Sequence, residues 1–551
     1  MKKRRSLVTD SSLKKKLLPV LLASIFALTA CGSQTTGGNT GEGNAGSGST
    51  QAQGISAQAD SPTSGGVINI AYPAKAATLD PHTTTNASTK DIARQIFEPL
   101  VTLNSKYEVV PMLAESYEVS HDGLSITFPL RKGVKFHNGK EMTADDVVAS
   151  MNKWLKVSTQ GKANLSGAAF TAKDPSTVVL TLQKPSLLTL HILADTAPFP
   201  AIMPKEVIEE SGVEAVKTFI GTGPFQLEEW KQDQYVHLKK YQDYSSRTEA
   251  SDGLGGKKEA LVDDLYFHYV TDESTRVAGI TTGEYDIAFS IPFDNAEQIE
   301  NSPDVSSFVS EGGMTTFVFN KKSGLFSNGK ARQAVNAALD IEEILISAYR
   351  DSRYYTLDSG LALPNQSDWH SQAGKEEYNQ HNLEKAKQLL AESGYKGEEV
   401  TILVTRDYPD YYNAAVVAQQ QLQAIGLNAK LDVYDWPTMQ ERRKDEKVWD
   451  FFVVGFAVRP TLHQLPFLDS RGGYPGWTNS PEIDKLLDEI QSAPSIAEAK
   501  PLVDQLQALV WQELPVIKLG NRVNMAAVAN HIQGLQDVIG PILWNVSTTK
   551  K

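Results

Sequence analysis

The sequence EVTILVTRDYPDYYNAAVVAQQQLQAIGLNAKLDVYDWPTMQERRKDEKVWDFFVVGFAVR, residues 399–459, alternates the periodicities of strands and helices. The predicted elements are a strand over 399–405, a helix over 411–425 that stops at Gly426, a strand over 428–434, a helix over 437–444 and a strand over 450–456. This order indicates a parallel sheet, and the nearly uniform apolar character of the third strand is typical of a strand covered on both faces. The chain is therefore predicted to belong to the α/β class.

The ligand crevice of a parallel α/β sheet lies just past the carboxyl ends of its strands. Three segments occupy that position here, 406–408, 435–436 and 457–459. The candidate ligand-binding residues at this edge are Arg406, Tyr408, Tyr411, Trp436, Phe456 and Arg459. Arginine can form a bidentate pair with a carboxylate, and aromatic rings can enclose ligand side chains. The alternative is structural, with Tyr411 packed on the sheet and Trp436 capping the helix that follows it.

The body of the chain begins with a predicted strand over 66–72. Apolar residues four apart then predict a helix over 88–100. Further along, Thr143 precedes Asp145 and Asp146, a pattern that predicts an N-capped helix with acidic residues in its first turn.

The first 30 residues have the pattern of a secretory signal peptide. Seven Lys and Arg precede an apolar run over 17–28 that is too short to span a bilayer as a stable helix. The run ends in Leu-Thr-Ala-Cys (28–31), which resembles the bacterial lipobox, so Cys31 is predicted to carry the lipid anchor. The alternative is an ordinary signal peptide followed by an incidental cysteine, although the chain has no second cysteine for a disulfide.

Composition restricts the function classes. Residues 31–65 are rich in Gly, Ser, Thr, Gln and Asn, so they are predicted to be a flexible linker with a reach of roughly 30 Å. Of 53 Lys and Arg and 66 Asp and Glu, seven basic residues and one acidic residue lie in the first 30, so the remainder carries a net charge of −19. That charge argues against nucleic acid as a partner. About 485 residues follow residue 66, enough for two or three domains, and none of their apolar runs is long enough to cross a membrane.

The sequence contains no recognisable catalytic motif. His-Glu-x-x-His, Gly-x-Ser-x-Gly, a Walker loop and a cysteine nucleophile are all missing from it. The ten histidines lie far apart, so neither a metal nor a cofactor is predicted. His82 and His463 are the two residues to test for a nickel site assembled by the fold.

Residues 114–147, AESYEVSHDGLSITFPLRKGVKFHNGKEMTADDV, closely resemble the signature of family 5 solute-binding proteins, the extracytoplasmic receptors of ATP-binding cassette (ABC) importers for peptides and nickel. Five other stretches match the family and occur along the chain in the family's order: LDPH (79–82), IFEPL (96–100), GTGPF (221–225), RQAV (332–335) and AKQLL (386–390). The resemblance covers the chain from about residue 66 to its end.

The resemblance implies a two-lobed, periplasmic-binding-protein-like α/β fold of type II with an extra satellite domain. The implied domains are lobe I over 66–97, 215–316 and 514–551, the satellite domain over 98–214, and lobe II over 317–513. The resemblance also matches the loop containing Thr83, Thr84 and Asn86 with one that hydrogen-bonds an extended ligand. Their hydroxyl and amide groups suit backbone recognition. The alternative for these residues is a turn and a helix N-cap.

The same resemblance implies a monomeric, non-enzymatic receptor on the outer face of the cell membrane. It would capture a peptide-like solute and deliver it to the permease subunits of an ABC transporter. A nickel-chelate or opine-like solute stays open, as does a signalling role. The alternative from another class is an anchored cell-wall hydrolase, whose distinguishing feature would be an acid/base pair in a groove.

One position departs from the family pattern. Peptide receptors that this chain resembles commonly carry an aspartate three residues beyond an aromatic residue in the loop after the third strand, where it pairs with the α-ammonium group of the ligand. Here Phe456 is followed at that spacing by Arg459. The replacement of an acidic residue by a basic one favours an anionic ligand, or a ligand bound in the reversed orientation.

Overall fold

The structure is a computed structural model that describes residues 64–550, which belong to one compact unit. The predicted signal peptide (1–30), Cys31 and nearly all of the predicted linker (31–65) lie outside the described residues.

Twenty-one strands occur among the described residues: β1 (Val67–Tyr72), β2 (Val101–Leu103), β3 (Val109–Pro111), β4 (Glu118–Val119), β5 (Ser125–Pro129), β6 (Ala169–Asp174), β7 (Thr177–Thr181), β8 (Phe225–Lys231), β9 (Tyr235–Lys240), β10 (Asp264–Tyr269), β11 (Ile287–Ala288), β12 (Val305–Phe319), β13 (Tyr355–Thr356), β14 (Glu399–Thr405), β15 (Asn428–Tyr434), β16 (Phe451–Phe456), β17 (Val516–Ala529), β18 (Ile532–Gln533), β19 (Gln536–Asp537), β20 (Pro541–Ile542) and β21 (Ser547–Thr548).

The same part of the chain forms fourteen α-helices: α1 (Ala87–Ile96), α2 (Ala144–Val157), α3 (Thr159–Asn164), α4 (Thr189–Leu193), α5 (Lys205–Ser211), α6 (Glu273–Thr281), α7 (Ala296–Glu300), α8 (Gly329–Ala338), α9 (Ile341–Tyr349), α10 (Leu383–Glu392), α11 (Pro409–Ala424), α12 (Trp436–Arg442), α13 (Pro481–Ser492) and α14 (Ile496–Glu513). Between residues 64 and 550, no helix combines the length and the apolar character that crossing a membrane requires.

One large sheet runs through the molecule in the order β15-β14-β16-β12-β17-β11-β1-β10-β9-β8, with β13 paired to β17. We call β1 and β8–β11 the first half of this sheet, β14–β16 the second half, and β12 with β17 the central strands. The central strands pair antiparallel with each other along most of their length. On their outer sides, β12 pairs with β16 of the second half and β17 pairs with β11 of the first half. The central strands therefore connect the two halves into one continuous sheet.

The second half confirms the parallel sheet predicted from the sequence. β14 pairs in parallel with both β15 and β16, and the bounds of β14 and β15 are those predicted. α11 begins earlier than predicted, at Pro409, because proline suits the first turn of a helix, and it ends before Gly426, whose φ is +91°. Alternating side chains of β16 enter two different cores, with Phe451 in one and Phe452 in the other. β16 is thus covered on both faces, as its apolar sequence predicts.

A separate four-stranded sheet, in the order β4-β5-β7-β6, lies within residues 118–181. α2 packs on this sheet and buries Trp154 completely. Thr143 is the N-cap of α2, as predicted, and its backbone N–H and Oγ1 donate to the carboxylate of Asp146 at 2.9 and 2.8 Å. This sheet falls inside the satellite domain predicted over 98–214, whose boundaries stay a prediction.

The helix predicted over 88–100 is shorter in the structure, because α1 ends four residues earlier. Phe97 is already extended, with φ −116° and ψ 158°. Pro99 has no backbone N–H and disfavours a helical conformation of the residue before it. That residue, Glu98, is instead fully buried, and its carboxylate lies 3.2 Å from the Nζ of Lys258.

The central strands are irregular where they pass between the two halves of the sheet. The register shifts between Glu311 and Gly313 on β12, which leaves Gly312 as an extra residue in that strand. Gly313 has a φ of +102°, and a Cβ atom at this position would lie 2.0 Å from the carbonyl oxygen of Phe456. The bend between the halves therefore requires glycine.

We expect the substitution Gly313→Ala to lower the free energy of unfolding by about 3 kcal/mol, because it combines backbone strain with a steric clash. Guanidinium denaturation of the full chain would measure the loss. Gly139→Ala is the matched control, since Gly139 has a φ of +82° but open space around its missing side chain. The control should cost about 1 kcal/mol from backbone strain alone. Equal losses in the two variants would contradict the steric role of Gly313.

Candidate ligand-binding cleft

A cavity of about 430 Å³ lies where the central strands pass between the two halves of the sheet. Its walls come from the start of α1 together with the loop 537–541, from the central strands, and from the loop after β16. The charged lining residues are Lys90, Asp91, Glu311, Arg522 and Asp537, and the other lining residues include Asn86 and Val458. The volume falls within the roughly 300–1,000 Å³ typical of sites for small molecules.

The wall formed by α1 is charged and closely hydrogen-bonded. Lys90 Nζ lies 3.3 Å from Asp91 Oδ1, and the hydroxyl of Tyr72 donates to Asp91 Oδ2 at 2.6 Å. Burial lowers the pKa of Lys90 and raises the pKa of Tyr72, because both charged forms are poorly solvated there. The Lys90–Asp91 pair is therefore part of a buried network that also contains Tyr72, Arg94 and Asp537.

Arg94 anchors the loop that completes this wall. Its guanidinium donates to the carbonyl groups of three successive residues, 538–540, at distances of 2.9–3.1 Å. Burial raises the pKa of the adjacent Asp537, and the negative charge of Asp91 adds to that shift. The loop thus brings a second carboxyl group to the cavity next to Asp91.

Arg522 of β17 brings a positive charge to the wall formed by the central strands. Its Nη1 donates to Asn524 Oδ1 at 3.1 Å. Burial disfavours the charged guanidinium, but the neighbouring Tyr411, Tyr349 and Asp410 outweigh this effect and raise the pKa of Arg522. Burial also raises the pKa of Asp410, although the charge of Arg522 opposes that rise. Arg522 is therefore cationic at neutral pH.

Three of the aromatic residues predicted at the carboxyl ends of the strands come together in one cluster. The ring of Tyr408 lies 5.2 Å from that of Tyr411 and 5.0 Å from that of Trp436, measured between centroids. Tyr411 is 7% exposed and packs in the core, in agreement with the structural alternative. Tyr408 is 42% exposed, so its ring is the one in this cluster that solvent or a solute can reach.

The two arginines predicted at this edge are not among the residues that line the cavity. The Cζ of Arg406 lies 5.0 Å from the ring centroid of Tyr412, and its Nη2 donates to the hydroxyl of that tyrosine at 3.3 Å. Arg459 lines a separate, much smaller cavity, and its carbonyl accepts a hydrogen bond from Gln366 Nε2 at 2.7 Å. Burial raises the pKa of Asp195, while the charge of Arg459 favours the ionised carboxylate. The predicted ligand contacts of Arg406 and Arg459 stay predictions.

Phe456 lies in the core, and its predicted ligand contact stays a prediction. It is 8% exposed, and its ring centroid lies 4.9 Å from that of Phe467 and 5.7 Å from that of Tyr474. The residues that follow it, Ala457 and Val458, line the cavity instead.

The loop after β1 matches the alternative of a turn and an N-cap. Thr83 Oγ1 donates to the carbonyl of Asp80 at 3.3 Å, and Thr84 Oγ1 accepts from the N–H of Asn86 at 3.1 Å. Asn86 is the N-cap of α1, where its Oδ1 accepts from the N–H of Ser88 at 2.8 Å. Because Asn86 also lines the cavity, its amide can face a ligand, whereas Thr83 and Thr84 use their hydroxyls within the turn.

The two histidines singled out for a nickel site support the backbone. His82 is fully buried, and its Nε2 donates to the carbonyl of Ala201 at 2.8 Å. His463 Nε2 donates to the carbonyl of Leu487 at 2.6 Å. Across residues 64–550, no group of three or more His, Cys, Asp or Glu side chains is arranged to hold a metal ion.

Residues 186–195 make a second set of contacts with distant parts of the chain. Asp195 Oδ2 accepts from Gln464 Nε2 at 2.5 Å. His191 packs edge-on against Trp369, with 5.5 Å between ring centroids and an interplanar angle of 78°. Both ring nitrogens of His191 are buried and have no hydrogen-bond partner among the described residues. Burial consequently lowers the pKa of His191 to about 4.

Sequence reasoning missed the charged residues of the cavity. Lys90, Asp91 and Asp537 were not singled out, and neither was Arg522. One signal was available, because β17 carries two cations, Lys518 and Arg522, among mainly apolar residues, and a charge inside such a strand needs a reason. Of the predicted binding residues only Asn86 lines the cavity, and Ala457 and Val458 of the predicted segment 457–459 line it as well.

A sheet shared by two lobes, with a cavity at the crossing of the central strands, defines a two-lobed α/β binding protein of the type II periplasmic class. This confirms the predicted fold class. Residues 108–476 match the model of the bacterial extracellular solute-binding proteins, family 5 middle domain. The chain therefore belongs to this family of solute-binding proteins, as the sequence motifs predict.

Curated relatives and solved structures agree with this assignment. A probable peptide ABC transporter periplasmic-binding protein, y4tO of Sinorhizobium fredii, is 30% identical over 491 residues, covering 85% of this chain and 91% of the relative. The glutathione-binding protein GsiB of Escherichia coli is 27% identical over 486 residues, covering 83% of this chain and 89% of the relative.

Among solved structures, the binding protein AgaA of A. tumefaciens R10, in complex with agropinic acid, is 27% identical with a TM-score of 0.71, covering 88% of this chain and 99% of that one. The ABC transporter substrate-binding protein CtaP of Listeria monocytogenes has a TM-score of 0.78 at 22% identity, covering 89% of this chain and 100% of that one, which supports the fold.

We expect His191 to make the protein less stable in acid. Its pKa is lower in the folded state than the ordinary value near 6.5, so its contribution is intact above pH 7 and is lost as pH falls from about 6.5 towards 4. Between pH 7 and pH 5 this amounts to about 2 kcal/mol. His191→Leu should remove that part of the loss in denaturant unfolding series, leaving the part due to other buried histidines.

The exposed His121 provides the matched control, as His121→Leu should keep the full loss of stability between pH 7 and pH 5. An unchanged pH dependence in His191→Leu would show that the buried imidazole is not the source.

Proposed function

We propose that this protein is an extracytoplasmic receptor that captures a peptide-like solute between two lobes and delivers it to the permease of an ABC importer. The observation that carries the proposal is the cavity at the central strands, which is lined from both halves of the sheet by groups of both charges. Family membership and the names of the relatives y4tO and GsiB support it. The receptor performs no chemistry of its own and acts as a monomer.

We further propose that the two lobes close on the solute by bending the central strands. Lobe I would consist of 66–97, 215–316 and 514–551, with 98–214 as its satellite domain, and lobe II of 317–513. The irregular register at Gly312, where the strands pass between the halves, supports this location of the bend. Closure would trap the solute in the cavity and present a shape that the permease distinguishes from the open form.

Lipid attachment at Cys31 would hold the receptor at the outer face of the cell membrane. Several acyl chains on one residue, each buried CH₂ contributing about 0.8 kcal/mol, give durable anchoring. The linker over 31–65 would then let the body move within reach of the permease.

A second candidate solute is an opine-like acid. The relative AgaA, 27% identical, was solved with agropinic acid, and Arg522 gives the present cavity a cation that suits an acidic solute. A nickel chelate is the third candidate carried from the sequence, and His82 and His463 offer it no support because both donate to backbone carbonyls.

Calorimetric titration of the full chain tests the receptor function. The titrants are a library of di- to pentapeptides, a nickel–histidine chelate and opine-like acids. We expect saturable binding of one peptide per chain, and no release of cleaved products from peptides or cell-wall fragments. Failure of every titrant to bind, or measurable turnover of wall fragments, would contradict the proposal.

The anchoring proposal is tested by Cys31→Ser. In a bacterial host we expect the wild-type chain to enter the membrane fraction and the detergent phase, and the variant to be found in the aqueous phase because it lacks the acyl chains. Thr50→Ala, in the linker, serves as the control and should stay in the membrane fraction. Membrane retention of Cys31→Ser would mean that another feature anchors the chain.

A further inference from the structure

We propose that Arg522 is a specificity-determining residue that pairs with a carboxylate of the bound solute, so that the cleft selects solutes carrying a free carboxylate. The inference rests on the proposed receptor function and deepens it, since it names the chemical class of group that the cavity recognises and the side chain that recognises it.

The first observation is that Arg522 reaches the cavity with hydrogen-bonding capacity to spare. It lines the cavity wall, and its contact with Asn524 uses one N–H of the guanidinium. Nη2 makes no hydrogen bond within residues 64–550, whereas Nε is buried beside Gly455 without a partner. A guanidinium offers five donors in a planar fork that matches a carboxylate, so the two terminal nitrogens are the edge that a solute carboxylate can reach.

The second observation is that the charge of Arg522 lacks a contact partner. In the described part of the chain, no carboxylate oxygen lies within 4.0 Å of its guanidinium. Asp410 is near enough to influence the charge, but it interacts with the hydroxyl of Tyr349, which donates to Asp410 Oδ2 at 3.4 Å. A cation removed from water without a paired anion is destabilising, and a solute carboxylate would relieve that cost.

The third observation is that two glycines allow the guanidinium and its polar neighbours to pack closely. A Cβ atom at Gly455 would lie 2.5 Å from the hydroxyl of Tyr411 and 3.0 Å from the Nε of Arg522. On the neighbouring strand, a Cβ at Gly312 would lie 3.0 Å from Asn524 Oδ1. Glycine at these two positions allows the tyrosine hydroxyl, the arginine and the asparagine amide to occupy one small region.

The other cations near the cleft either have partners or do not line this cavity. Arg406 lies over Tyr412, and Arg459 lines a separate, much smaller cavity. Lys90 Nζ, on the opposite wall of the cavity, donates to the carbonyl of Ile539 at 2.5 Å and lies beside Asp91. Arg522 is consequently the cavity cation most available to an incoming anion.

The test compares matched ligands on the wild-type full chain. Each peptide that binds in the calorimetric library is titrated in two forms, with a free carboxyl terminus and with a carboxamide terminus. We expect the free acid to bind about 30-fold tighter than the amide, or more, because removing one partner of a hydrogen-bonded charge pair weakens binding by at least that factor. Arg522→Gln should weaken binding of the free acid by the same factor and leave the amide within about threefold.

Two further variants separate pairing from folding. Arg522→Lys keeps the positive charge without the planar fork, so we expect a loss for the free acid that lies between wild type and Arg522→Gln. Arg353→Gln removes an exposed arginine that belongs neither to the cavity lining nor to the predicted binding residues, and it should leave the acid-to-amide ratio unchanged. Denaturation midpoints of all variants show whether each is folded. The acid-to-amide ratio of the wild type is measured without any variant, so it does not depend on their folding.

The outcomes distinguish the inference from the function on which it rests. A high acid-to-amide ratio that collapses in Arg522→Gln supports the pairing. Equal binding of acid and amide by the wild type would overturn the pairing while leaving a peptide receptor. A high ratio that persists in Arg522→Gln would assign the carboxylate to another residue and likewise overturn it. Binding of neither form would overturn the receptor function together with the pairing.

Discussion

The antiparallel pairing of β12 with β17 is the constraint on which the cleft depends. These two strands lie 197 residues apart, from the end of one to the start of the other, yet they share a ladder that extends through both halves of the sheet. Because each half is hydrogen-bonded to one of them, the halves cannot separate without breaking backbone bonds, and the proposed closure would bend the ladder where its register is irregular. Glycine at 312 and 313 places that irregularity beside the cavity.

The cavity combines this irregular junction with charges that are only partly neutralised within the protein. On one wall, Lys90 and Asp91 are paired with each other and with neutral groups. On another, Arg522 is surrounded by tyrosines and by Asp410 without a direct ion pair. Charges in such surroundings interact strongly with a ligand because little water screens them. The affinity of the site and the closure of the lobes would then depend on the same few charged side chains.

Local patterns in the sequence predicted the second half of the sheet well. The strands over 399–405 and 428–434 have the predicted bounds, because strand-forming residues, with apolar side chains at alternate positions of the second strand, lie between turn signals. The cluster of Tyr408 and Trp436 also follows from strand order alone, since parallel strands place their carboxyl ends at one edge. The surroundings of Phe456 could not be predicted in this way, because an apolar strand buried on both faces gives no signal for which face a given side chain takes.

The charged residues of the cavity could not be predicted in this way. Arg522 reaches it through the register of two strands that are distant in sequence, and a bulge of one residue changes that register. Lys90 reaches it through the orientation of a short helix fixed by the loop 538–540. Neither arrangement leaves a periodic trace in the sequence. The resemblance to a family supplies the overall architecture but not these side chains.

The position of the loop 538–540 has a consequence for how the protein is made. This loop, held by Arg94, forms part of the cavity wall, and β17 forms another part. A ribosome must therefore add residue 540 before any nascent chain can complete the pocket. Contacts between residues more than 440 positions apart also form slowly. A polypeptide with these long-range contacts would have an incomplete cleft throughout translation. An incompletely folded chain is the form that passes most easily through a translocation channel.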